Sequence, residues 1–157
     1  MNKEYNDSFL NSFQNVMPQL GLEEIQLNGI QDIGNQIHTP EVVCIIGIIG
    51  DLRGNVIFAI SADAAKKIAG IMMGGVELDE FDEIAQSAIA ELGNMLAATA
   101  CTELSNHGIK VDVSTPTLMT GTFSVSASAE KITRIALSVD AFSFDIFLSL
   151  EKNKRMS

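Results

Sequence analysis

Apolar positions follow two different periods along this chain, and blocks of one period alternate with blocks of the other. From about Glu4 to Leu20, the residues Phe9, Leu10, Phe13, Val16, Met17 and Leu20 recur at helical spacing, and the stripe ends near Pro18 and Gly21. Weak alternation from Ile25 to Ile37 predicts a strand. Glu41 to Ile49 predicts a buried strand, Asp51 to Asn55 a turn, and Val56 to Ile60 the returning arm of a hairpin. Ser61 is a suitable N-cap, with Asp63 in the first turn of a helix that Gly74-Gly75 stops. Asp79 is expected to cap a long helix reaching about Asn106, with further carboxylates in its first turn. Ile109 to Val113, Leu118 to Val125, Ile132 to Asp140 and Phe142 to Leu150 complete the chain as strands. No linker or low-complexity stretch divides this order, which predicts one α+β domain over residues 1–157. Its sheet should be mostly antiparallel, with helices on one face.

Composition narrows the class without naming a partner. Apolar residues are 46% and charged residues 19% of 157, which excludes a disordered chain. The longest strongly apolar run, Val42 to Ile49, is broken by Gly47 and is too short to cross a bilayer. The start of the chain has neither a basic nor an apolar signal region, so Cys44 and Cys101 are expected as free thiols in the cytoplasm. A net charge of −10 argues against nucleic acid, because the only basic cluster is Lys152-Asn153-Lys154-Arg155 near the end.

Candidate chemistry gathers on the long helix. Spacings of four and three residues place Ser87, Glu91 and Asn94 within about 60° of one another. Ala85, Ile89, Leu92, Leu96 and Thr99 occupy the opposite, core-facing arc, with Ala88 and Met95 at its border. Beside the polar residues stand the small Ala90, Ala97, Ala98 and Cys101, which would let another protein approach closely. An ordinary polar face on an alanine-rich helix fits the same pattern, and periodicity alone leaves both readings open. Ser8, Ser12 and Asn15 repeat the spacing 79 positions earlier. Each set precedes a Thr-Pro that opens an apolar strand, Thr39-Pro40 and Thr115-Pro116. Coincidence of common residues could produce this, but the shared order of helix, motif and hairpin favours a duplication with pseudo-twofold symmetry.

Other features carry less. His38 and His107 are isolated and lack metal-ligand spacing. Glu77, Asp79, Glu80, Asp82 and Glu83 do not follow a calcium loop and suit a helix N-terminus. Gly47, Gly50 and Gly54 fall in a hairpin, not between a strand and a helix, which argues against nucleotide binding. Ile68, Ile71, Met72 and Met73 read as core. No metal site is expected.

Ser87-x-x-x-Glu91-x-x-Asn94 followed by Pro116 resembles the [Asp/Ser]-x-x-x-Glu-x-x-Asn…Pro signature of the CheC/CheX/FliY phosphatases of bacterial chemotaxis, and the similarity runs from the first helix to the last strand. The CheC type bears the motif in both halves; here Ser12 stands where the first glutamate would be, as in the CheX type. The resemblance implies a CheC/CheX-like pseudo-twofold fold with both motif helices on one face. It implies hydrolysis of the aspartyl phosphate of a phosphorylated CheY-like receiver domain, ending the signal, with Glu91 and Asn94 as catalytic residues. Ser87, Glu91, Ala90, Ala97 and Ala98 would dock the partner. Asn94 would orient the water and Glu91 would pair with the receiver's lysine, while Ser87 supports. No His or Lys stands at a helical neighbour position to activate Ser87 as a nucleophile. No cofactor of its own is implied, since the receiver brings Mg²⁺; a homodimer through sheet edges is. The alternative is a non-catalytic CheX-like module that docks a receiver or a flagellar-switch protein.

Overall fold

A computed structural model describes residues 2–34, 36–38, 41–121, 124–126 and 132–153. The chain runs α1 (Lys3–Gln19), β1 (Ile25–Ile33), β2 (Gln36–His38), β3 (Val42–Gly50), β4 (Leu52–Ile60), α2 (Ala62–Met72), α3 (Glu83–Asn106), β5 (Val111–Val113), β6 (Thr117–Thr120), β7 (Ser124–Ser126), β8 (Ile132–Val139) and β9 (Phe142–Lys152). The large sheet has the order β1-β8-β9-β4-β3-β5, with β6 also on β3; β2 and β7 form a separate pair. Every pairing is antiparallel. The expected α+β class and antiparallel sheet are therefore what forms.

Alternation in the central strands sends side chains to two cores. Cys44, Ile46, Val56, Phe58, Phe144, Ile146 and Leu148 join Phe9, Phe13, Met17, Ile68, Leu92 and Leu96 in the large cluster between sheet and helices. Val43, Ile57, Ala59, Ile132 and Phe147 form a small cluster on the other face with Ile37 of β2. Within the large cluster the ring of Phe13 meets that of Phe144 edge-on at 4.9 Å, which fastens α1 to β9. None of the described helices is long and apolar enough to cross a membrane.

Several expected boundaries move, each for a physical reason. The Asp51–Asn55 turn contracts to Asp51, and β4 already starts at Leu52. Asp51 exchanges both backbone and side-chain hydrogen bonds with Lys110, which pins the corner. Gly54 is not a turn residue: it pairs with Leu150, and a Cβ there would meet the Ser149 carbonyl oxygen at 1.8 Å. The glycine marks a close approach of two strands. The expected strand Ile25–Ile37 divides, because β1 pairs with β8 whereas β2 pairs with β7. Leu118–Val125 divides likewise into β6 and β7, after Gly121 at φ +119°. Thr39-Pro40, Lys154 and Arg155 lie outside the described residues.

Candidate functional site

Helix α3 begins three residues later than expected. Asp82, not Asp79, is the N-cap: its Oδ1 accepts from the Ala85 N–H at 2.9 Å, and the Gln86 amide donates to the Phe81 carbonyl at 3.0 Å. The acidic run offers several capping carboxylates, and sequence cannot choose among them. Packing does, since Leu78 and Phe81 lie against the core and hold the preceding segment out of the helix. The helix then crosses the sheet, buries Ala85, Ile89, Leu92, Gly93, Leu96, Ala97, Ala100 and Leu104, and leaves the motif residues outward.

Ser87 and Glu91 are exposed and Asn94 is half-buried, so the shared face exists in the folded chain. Among the described residues, no hydrogen bond or ion pair within the chain engages the side chains of Ser87, Glu91 or Asn94. They are free to meet a partner. Ala98 is exposed one turn beyond Asn94, and Ala90 and Cys101 are half-buried beside it. Ala97 is a correction. It is 0% exposed and belongs to the large core, so it cannot line a docking surface. Thr99, expected in the core stripe, is only half-buried. Both shifts have one cause: α3 packs on α1 and on the sheet together, and the buried arc is wider and rotated from the apolar stripe.

Two residues of this region escape a reading by residue type. Ile84 is 65% exposed at the start of α3, on the side of Glu91 seven positions later. Gly93 sits in mid-helix, where glycine costs about 1 kcal/mol against alanine. That unfavourable choice was the available signal. A Cβ at Gly93 would lie 2.6 Å from the Cys44 Sγ and 3.5 Å from atoms of Ile46 and Phe58.

The earlier set does not repeat this exposure. Ser8 and Ser12 are buried, and Asn15 alone of the three is exposed. The Ser12 hydroxyl donates to the Leu96 carbonyl on α3, and the neighbouring Asn11 amide donates to Glu103. Among the described residues, the Ser8 Oγ has no hydrogen-bond partner. Ser12 and Asn11 fasten one helix to the other.

Below the motif, the edge of β3 is held where its pairing changes from β6 to β5. The Gly47 N–H donates to the Ser114 Oγ at 2.8 Å, and the Ser114 N–H donates to the Gly47 carbonyl at 2.9 Å. Thr115 and the half-buried Pro116 follow, between the two strands, with no N–H on the proline to continue a ladder. Burial pushes the Cys101 thiol up to about 11, with Asp112 adding to it, and burial alone pushes Cys44 up to about 11. Neither is an activated thiol. His107 is the exposed C-cap of α3. No cluster of three metal-ligating side chains occurs among the described residues.

The family model described as chemotaxis phosphatase CheX matches residues 42–139. Over 141 residues the chain is 34% identical to the CheY-P phosphatase CheX of Thermotoga maritima, covering 88% of this chain and 90% of that one. The crystal structure of a chemotaxis protein CheX from Desulfovibrio desulfuricans superposes with a TM-score of 0.85 at 20% identity, over 94% of this chain and 99% of the other. The CheX in a CheX–CheY–BeF3–Mg²⁺ complex from Borrelia burgdorferi superposes with a TM-score of 0.72 at 19% identity, over 94% and 98%. At such identities the two structures establish the shared fold.

Proposed function

The chain belongs to the chemotaxis phosphatase CheX family, and from that premise we propose that it hydrolyses the aspartyl phosphate of a phosphorylated CheY-like receiver domain through Glu91 and Asn94. The observation that carries the assignment of residues is the outward pair itself. A carboxylate and a carboxamide stand on one face of a rigid helix, unengaged by their own chain and flanked by the small Ala90 and Ala98.

An acyl phosphate is intrinsically labile, so its hydrolysis asks for placement more than for new chemistry. Asn94 offers a donor and an acceptor at fixed separation, which suits a water held in line with the phosphorus. Water forms the new P–O bond as the bond to the aspartyl oxygen breaks. The carboxylate leaves on the receiver, and the water's proton ends on inorganic phosphate. Glu91 reaches further into solvent and would pair with the receiver's lysine, which fixes the register of docking. A hundredfold acceleration requires about 2.7 kcal/mol, within the range of one well-placed amide. Ser87 supports the face.

Mg²⁺ stays with the receiver in this reading, and the Borrelia complex, which pairs a CheX with CheY and Mg²⁺, supports that arrangement. With a receiver as partner, the reading has the protein acting in the cytoplasm. One core cluster that links all three helices to the sheet supports a single working domain. The reading includes a homodimer through a sheet edge, for which the exposed Gln26–Gly29 stretch of β1 is suited.

Phosphate release from a phosphorylated receiver, with wild-type protein and with Asn94→Ala, tests the reading. Wild type should accelerate release and Asn94→Ala should lose about a hundredfold while still binding the receiver. A wild-type protein that binds without turnover would support the docking module instead.

A further inference from the structure

Cys44 lies in the middle of β3, paired with Phe58 of β4 on one side and Leu118 of β6 on the other. It is buried, and its thiol points at the one glycine inside α3. We infer that Gly93 and Cys44 form a seat that fixes how deeply α3 lies on the sheet, and so where Asn94 presents its carboxamide. The inference rests on the phosphatase reading of Asn94 and makes Gly93 a positioning residue for it.

Three observations lead there. A Cβ at Gly93 would come to 2.6 Å of the Cys44 Sγ, far inside ordinary contact, with Ile46 and Phe58 each at 3.5 Å to close the sides. The Cys44 backbone cannot retreat, because it is laddered on both edges, and its sulfur has only a cavity of about 10 Å³ between Val42, Ile60, Ile89 and Phe144 to turn into. Gly93 also directly precedes Asn94, and the hydrogen-bonded helix between them has no give. Any side chain at 93 therefore lifts or turns the helix at the place where Asn94 projects. A misplacement on the order of 1 Å can reduce an oriented reaction about a hundredfold. Glu91 lies farther out and is exposed, so docking should tolerate the same shift better than turnover does.

The test measures kcat and KM for phosphate release from a phosphorylated receiver, with thermal melts of each variant. Gly93→Ala should remain folded and lose tenfold or more in kcat, with KM within about threefold of wild type. Adding Cys44→Ala to that variant removes the obstructing sulfur and should return kcat to within about threefold of wild type. A helix that merely lost stability would show neither the split nor the rescue. Should Gly93→Ala not fold, Cys44→Val crowds the same seat from the sheet without altering the helix, and it too should lower kcat with KM kept. Wild-type kcat in a folded Gly93→Ala or Cys44→Val protein overturns the seat, as does a folded double variant without recovery. If wild type gives no turnover, or Asn94→Ala keeps it, the reading of the site itself has failed. An inert Asn94→Ala beside a fully active Gly93→Ala removes the seat alone.

Discussion

Restoring a glutamate in the first helix, Ser12→Glu, separates what the repeat suggests from what packing permits. By pattern the change completes a second Ser-x-x-x-Glu-x-x-Asn set at Ser8, position 12 and Asn15, and would add a second working face. In the structure Ser12 is 0% exposed, and its hydroxyl donates to the Leu96 carbonyl of α3. Losing that bond costs about 1 kcal/mol, since the carbonyl sits within a helix that can satisfy it. Forcing three more heavy atoms into a packed helix interface costs about 1–3 kcal/mol. Burying the carboxyl adds roughly 1–3 kcal/mol even after it takes up a proton. The sum, about 5 kcal/mol, is comparable to the whole stability of many domains. Urea titration followed by far-UV circular dichroism suits this chain, which has no Trp and one Tyr. With a urea slope of about 2 kcal/mol per molar, the midpoint should fall by about 2.5 M. Burial raises the new carboxyl's pKa, so the folded state holds that proton to higher pH than the unfolded chain. The penalty should therefore grow as pH rises from the usual glutamate value. A midpoint within about 0.3 M of wild type at neutral pH, or a doubled turnover per chain, would refute the inward placement of Ser12.

Other consequences follow from single contacts. Glu91→Lys should raise KM for the phosphorylated receiver about tenfold with little change in kcat, and an unchanged KM at low salt would remove the docking role. Asp140 and Ala141 turn the β8–β9 hairpin at φ 47° and 70°, so Ala141→Gly should raise stability by about 1 kcal/mol; a lower melting temperature would contradict the strain. Burial raises the Asp145 carboxyl while Arg134, 3.1 Å away, pulls it back down, and the rise prevails. The folded chain then keeps that proton to higher pH than the unfolded one, and the stability tied to it is lost as pH climbs from 3.8. Melts between about pH 3.5 and 6 should show Asp145→Asn gaining on wild type as pH rises, and parallel curves would exclude this. With both thiols pushed to about 11, iodoacetamide at pH 7.5 should leave Cys44 and Cys101 unmodified while the urea-unfolded chain reacts, and rapid labelling of Cys101 would contradict its burial.

Local pattern was enough to place the elements and to set the candidate residues on one helix face. Period and caps located α1, α2 and α3 to within a few residues, because an apolar stripe and a capping side chain act locally. The chain's own spacing put Ser87, Glu91 and Asn94 together, since residues four and three apart share a helix face whatever else the fold does. Packing between segments far apart in the chain set the rest. Small residues are ambiguous by type: Ala97 is core and Ala98 is surface, and only the docking of α3 against α1 and the sheet together distinguishes them. Glycine is ambiguous in the same way, because Gly54 and Gly93 record close approaches by distant segments rather than local turns. The two polar sets look equivalent in one dimension, yet Ser8 and Ser12 of one are buried while Ser87 and Glu91 of the other face solvent. Which side of a helix meets water depends on partners dozens of residues away, and a local pattern carries no record of them.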